Sequence, residues 1–207
     1  EPVFVARVAD ITIDGTAQAD ISACMVALNA FIGSFKGAVA GGGSVSPALG
    51  DWVMKVKTST TPIELTEEQA NELCNLLETF NSSRFLFSGC KLSGRVVLKK
   101  VNKLLSEAVY LFQNSLIETL EFPELTEIHP NGNLGFAATN CNKLKEIVFP
   151  KLSKIPNGKL WSAFSDSPIL TKATVHSALI TVGGGSVGSL HSAPNITDLT
   201  ITTKITA

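Results

Sequence analysis

The 207 residues suffice for one large domain or two small ones, and chains of this size bury roughly 70% of their unfolded surface, so a core needs no covalent staples. Hydrophobic residues at 44%, charged residues at 17% and a mean hydropathy of +0.25 exclude intrinsic disorder. Seventeen Lys and Arg against eighteen Asp and Glu leave a net charge of -1, too small for electrostatic capture of a nucleic-acid backbone or an anionic membrane.

The chain opens at Glu1 with no basic and apolar leader, which reads either as a mature form freed of its signal or as a trimmed form. An alternating pair, Ile11/Ile13, precedes a first expected helix. Behind the N-cap Asp20, Ile21, Cys24, Met25, Leu28, Ile32 and Phe35 fall on one helical face. The longest apolar stretch, Ala23 to Phe35, is interrupted by Asn29, Gly33 and Ser34 and is shorter than the ~20 residues that span a bilayer, so no membrane insertion is expected. A glycine loop, Gly41 to Val45, leads to a second alternating pair, Met54/Val56, 43 residues after the first. Thr66-Glu67-Glu68-Gln69 has the capping-box pattern, and Ala70, Leu73, Cys74, Leu77 and Phe80 then share a face, so a second helix is expected. Glu67, Glu68, Glu72 and Glu78 read as its solvated side, favoured near the first turn by the helix dipole. Residues 1–84 thus form a helix-containing region, either a separate cap or two long repeats.

From residue 85 onward the chain repeats itself. CNKLKEIVFPKLSKI (Cys141 to Ile155) is matched by SLIETLEFPELTEI (Ser115 to Ile128). The alternating pairs Val96/Leu98, Leu120/Phe122, Ile147/Phe149, Ala173/Val175 and Leu199/Ile201 recur at spacings of 24, 27, 26 and 26 residues. Each pair stands at i and i+2, so both side chains face the core from a short strand. A second apolar tier follows each strand (Val101/Leu104, Leu125/Ile128, Leu152/Ile155, Leu179/Val182), and an anchor precedes it (Leu92, Ile117, Leu144, Leu170, Ile196). An aromatic near small residues usually comes before that anchor, as at Phe87, Phe112, Phe136 and Phe164. Such a unit cannot close a core alone, and stacking copies into ladders is what makes it stable.

The motif residues Phe87 to Cys90, together with Cys141, Leu144, Ile147, Phe149, Pro150, Leu152 and Ile155, resemble the BspA-type leucine-rich repeat. The resemblance implies an α/β class, a leucine-rich-repeat solenoid of about five units over residues 85–207, behind the helix-containing N-terminal region. It also implies a secreted or surface-attached bacterial protein of adhesive, non-catalytic role, with a protein or glycan ligand.

Chemistry-bearing patterns are few. Gly183-x-Gly185-x-x-Gly188 has the letters of a dinucleotide fingerprint, and Gly184 to Gly188 those of a nucleophile elbow at Ser186, with His191 and Asp198 downstream. Both motifs need a helix directly after them, and Pro194 follows instead, so a serine hydrolase at Ser186 is a minor alternative. His129, His176 and His191 lack ligand spacing, and neither metal nor cofactor is expected. Asn81 and Asn195 stand in glycosylation sequons, a pattern common by chance. Cys24, Cys74, Cys90 and Cys141 form no CxxC pair and read as buried free thiols. Cys90 and Cys141 are equivalent positions two repeats apart, about 10 Å at a strand spacing of ~4.8 Å, too far for a disulfide.

The candidate site is the outward strand face. Its middle column is Val97, Glu121, Val148, Thr174 and Thr200, flanked by Arg95, Thr119, Glu146, Lys172 and Asp198. Arg95, Glu121, Glu146, Lys172 and Asp198 are the expected polar contacts for a protein or glycan ligand. The alternative role is a structural or receptor-reading part of a phage tail or surface assembly; the simplest account is an ordinary strand face on which Thr has good propensity.

Overall fold

The computed structural model describes residues 12–13, 55–56, 62–80, 82–180, 190, 193 and 195–202. The first expected helix, the loop Gly41 to Val45, Asn81, Val182, the Gly183 to Gly188 segment with Ser186, and His191 lie outside them. Strands β1 (Thr12–Ile13) and β2 (Lys55–Val56) pair in parallel with Ile13 opposite Val56, the register that the 43-residue spacing of the first two alternating pairs requires.

Helix α1 (Glu67–Thr79) begins on a complete capping box. The Thr66 hydroxyl accepts from the Gln69 N–H at 3.2 Å, and Gln69 Oε1 accepts from the Thr66 N–H at 2.9 Å, satisfying two orphan donors of the first turn. Ala70, Leu73, Cys74, Leu76 and Leu77 are buried and join the same core as the repeats. The helix stops at Phe80, whose backbone is extended and whose N–H still reaches the Leu76 carbonyl.

Strands β3 (Ser93–Val97), β4 (Lys103–Leu104), β5 (Leu116–Glu121), β6 (Glu127–Ile128), β7 (Glu146–Phe149), β8 (Lys172–His176) and β9 (Asp198–Thr202) follow. The order β3-β5-β7-β8-β9 forms one sheet, parallel throughout, and β4 pairs with β6 in a second small ladder. Five strands in sequence order enclose about four turns of a parallel β-solenoid. The register runs Val96, Leu120, Ile147, Ala173, Leu199, as the repeat spacing dictates. Between β3 and β5 it slips once: Gly94 faces Ile117 and Arg95 faces Thr119, leaving Glu118 bulged. Ile117 therefore partners Gly94 rather than Leu92, and Leu92 instead bridges Ile63 on the α1 side. Gly94 has φ of 74°, and a Cβ there would lie 2.7 Å from the Glu64 side chain, so the slip needs glycine.

Four inward pairs and most of the second tier are buried, including Val101, Leu104, Leu125, Ile128, Leu152 and Leu179. The fifth pair is not. Leu199 is 44% and Ile201 48% exposed, because among the described residues no further strand stacks on β9. Ile155 and Ile196 are only partly buried.

The segment before each of the first four anchors turns twice through left-handed backbone. Phe85 and Gly89, Tyr110 and Asn114, Phe136 and Asn140, Ser162 and Asp166 all have φ between 50° and 69°. The second site of each pair carries Gly, Asn or Asp, the residues that tolerate this region. Phe136 consequently belongs with Phe85 and Tyr110, in a half-exposed outer row, and not with Phe87 and Phe112 as the sequence suggests. Ala138 takes the inner place: its N–H bonds to the Ala163 carbonyl just as that of Phe112 bonds to Ala137.

Candidate functional site

All five expected contact residues lie on the main sheet, in the expected columns. Arg95, Thr119, Glu146, Lys172 and Asp198 are successive register partners, as are Val97, Glu121, Val148, Thr174 and Thr200. Arg95, Lys172 and Asp198 are exposed, while Glu121 and Glu146 are half-buried.

Four of these five side chains pair with one another. Arg95 donates to Glu121 through Nε at 2.5 Å and Nη2 at 2.9 Å, a bidentate fork, and the Glu121 hydrogen bond and charge raise the Arg95 pKa further. Lys172 meets Glu146 at 3.1 Å. The same rule holds off the face: Lys145 meets Glu118 and Lys151 meets Glu124 at 2.6 Å each, and Glu127 is shared by Lys103 at 2.9 Å and Lys154 at 3.6 Å. These pairs clasp one turn to the next, so the face presents a polar but electrically balanced surface.

Two concavities adjoin this face. One of about 480 Å³ opens at the carboxyl ends of the strands and is lined by Thr126, Pro150, Lys151, Ser153, Lys154, His176 and Thr202. The Thr202 hydroxyl donates to the Pro150 and Val175 carbonyls there. His176 Nδ1 accepts from the Ala178 N–H at 3.1 Å, which leaves the proton of the neutral ring on Nε2. The other, about 320 Å³, lies where the start of α1 meets β3, among Thr66, Glu67, Asn71, Arg95, Val97 and Lys99. Sequence reasoning found the columns but not these hollows, whose one signal is that Pro150, His176 and Thr202 directly follow or end a strand.

A second feature escaped the sequence. Phe85, Tyr110 and Phe136 stack at ring distances of 4.7 and 5.1 Å, and Trp161, 58% exposed, tilts onto Phe136 at 6.0 Å. The recurrence of Gly, Asn, Asn and Asp at 89, 114, 140 and 166 marks the turns that hold this row.

Among the described residues no three His, Cys, Asp or Glu side chains group as a metal site, and no helix is long and apolar enough to cross a membrane. His129, like His176, uses Nδ1 as acceptor, here from the Asn131 N–H. Asn195, the second sequon residue, is exposed and donates from Nδ2 to the Pro168 carbonyl. Comparison with protein-family models, with curated proteins and with solved structures gave no significant match.

Proposed function

We propose that this chain is a non-catalytic recognition protein, built of leucine-rich repeats that resemble those of the BspA-type group, and displayed in a secreted or surface setting. It reads an extended protein or glycan ligand across its outward strand face. The observation that carries this reading is the columnar register, which sets Arg95, Thr119, Glu146, Lys172 and Asp198 side by side at strand spacing, so that one long ligand touches several turns at once. Because the charges are balanced between turns, recognition rests on hydrogen bonds and shape, with modest affinity and weak salt dependence. The test is a glycan and protein array screen, followed by the combined variant Glu121→Ala, Glu146→Ala, Lys172→Ala. A folded triple variant that binds the array ligand unchanged would remove the site from this face.

A role in an assembly, as a structural or receptor-reading part, is the second reading. The exposed apolar end at Leu199 and Ile201 favours it, since a surface of that kind fits contact with another subunit.

A further inference from the structure

Charge is distributed along this chain turn by turn. Bridges from Ser82 to Glu107 and from Glu107 to Asn133 join equivalent places of successive turns, so the chain divides at 82, 107 and 133. Residues 62–80, the layer of α1, carry five Glu and no Lys or Arg. Residues 82–106 carry Arg84, Lys91, Arg95, Lys99, Lys100 and Lys103 and no acid. Residues 107–132 carry five Glu and again no Lys or Arg, and residues 133–158 carry four Lys and the single acid Glu146. Four successive layers are thus acidic, basic, acidic and basic. The ion pairs follow the same order. Lys99 reaches back to Glu67, Lys103 reaches forward to Glu127, and Lys145, Lys151 and Lys154 reach back to Glu118, Glu124 and Glu127. The apolar columns supply no such order: Val96/Leu98, Leu120/Phe122 and Ile147/Phe149 are all at most 1% exposed in equivalent places, so burial rewards any turn stacked on any other. Repeat chains are prone to misassembly for this reason.

We propose that the alternation of charge fixes the stacking order: each of these turns is drawn to its own neighbours and repelled by the turn beyond them and by a copy of itself. The second ladder makes the difference concrete. Lys103, Glu127 and Lys154 are successive partners there, with the two ammonium groups 2.9 and 3.6 Å from the carboxylate between them. If residues 82–106 lay directly on 133–158 with the intervening turn looped out, Lys103 would face Lys154. Three residues earlier Lys100 would face Lys151, and the one favourable pair gained would be Arg95 with Glu146. Two copies of residues 107–132 laid together would set Glu124 on Glu124 and Glu127 on Glu127. Like charges directly opposite destabilise a strand pair, so a wrong stack loses its attractions and gains repulsions. A single exposed ion pair contributes little, and the effect comes from several acting together over a whole turn. The proposal is independent of the recognition role, because the charges it turns on in the second ladder and at Glu118, Glu124, Lys145 and Lys151 are not among the expected ligand contacts.

Urea unfolding of the full chain in low and in high salt tests this with three combined variants. Glu118→Lys, Glu124→Lys and Glu127→Lys together give both flanking turns the like-charged neighbour that a wrong stack would bring. The expected result is a urea midpoint well below that of the unsubstituted chain in low salt, with much of the loss regained at about 1 M salt, where the screening length is about 3 Å. Glu118→Gln, Glu124→Gln and Glu127→Gln together remove the attraction without adding repulsion, and their midpoint is expected to fall between the two. Adding Lys103→Glu, Lys145→Glu, Lys151→Glu and Lys154→Glu to the first variant restores the alternation in the opposite sense, and is expected to bring the low-salt midpoint back towards the original. A Lys variant no less stable than the Gln variant in low salt, or an inverted variant no more stable than the Lys variant, would overturn the proposal.

Discussion

Asn140 donates from Nδ2 to Oδ1 of Asn114 at 2.5 Å, one turn of the solenoid away, and the two residues share left-handed backbone at φ of 55° and 57°. Each amide therefore does two things: it tolerates a conformation costing most residues about 1–2 kcal/mol, and it links its turn to the next. Asn140→Ala is expected to lower stability by about 1 kcal/mol or more in urea denaturation, and Asn140→Gly by less, since glycine restores the backbone but not the link. Equal losses would show that the hydrogen bond, and not the backbone, carries the effect.

Phe149 lies at 1% exposure, stacked on Phe122 at 5.0 Å and tilted against Phe164 at 5.6 Å. Its ring thus joins three successive turns at the layer where Ala138 interrupts the inner aromatic row. Phe149→Ala is expected to cost about 3–5 kcal/mol by lost transfer energy and the cavity left behind. A loss under about 1 kcal/mol would place Phe149 outside the core.

The inward columns were legible because an apolar i, i+2 pair recurring near 26 residues leaves stacking as the one way to bury it. What the pattern records is which way a side chain points, not whether a further turn covers it, and so Leu199 and Ile201 read as core although they stand exposed. Phe136 was misplaced for another reason. Both Phe85 and Phe87 precede Cys90, and only the left-handed backbone at Phe85, Tyr110 and Phe136 decides which aromatic belongs to which row. The alternation of charge on the outward face was readable, but the partners were not, since Arg95 reaches diagonally to Glu121 in the next column and not to its register neighbour Thr119.

Acid acts on two opposed groups of carboxylates. Hydrogen bonds from Lys99, Lys145 and Lys103 hold Glu67, Glu118 and Glu127 below the ordinary range. Their folded pKa values lie below the unfolded ones, so their support is present above about pH 4.3 and is lost as pH falls through the folded values. Glu72 runs the other way: burial, then the charge of Glu68, raises its pKa, and its buried Oε2 has no hydrogen-bond partner. Ionised Glu72 therefore opposes folding at neutral pH and ceases to do so once protonated in both states. Glu72→Gln is expected to raise the urea midpoint at pH 7 and to leave it unchanged near pH 3; a gain persisting at the lower pH would mean that charge is not the cause.

Cys90 and Cys141 are buried and neither is in a disulfide, and Ser115 occupies the equivalent place in the turn between them. Burial raises the Cys141 pKa, and its thiol donates to the Phe112 carbonyl at 3.2 Å. The Cys141 thiol is thus inert in the native state, and burial shields Cys90 from reagents. A thiol reagent is expected to label them slowly under native conditions and promptly after unfolding without reductant. A peptide linking Cys90 to Cys141 by a disulfide would contradict the stacking of the turns.

The Arg95–Glu121 fork joins a guanidinium whose side chain is 67% exposed to a carboxylate that is 12% exposed, so its two halves differ in what they lose when separated. Glu121 is the more desolvated partner. Removing Arg95 leaves a half-buried carboxylate without its counter-charge, whereas removing both leaves only a shallow hollow beside Val97. A double-mutant cycle of Arg95→Ala and Glu121→Ala is expected to give a coupling near 1 kcal/mol, the upper end for an exposed pair because the contact is bidentate, and to fall as salt is raised. The double variant should be no less stable than Arg95→Ala alone. A coupling indistinguishable from zero at low salt would mean that the two side chains do not hold the turns together in solution, and would leave both free to meet a ligand.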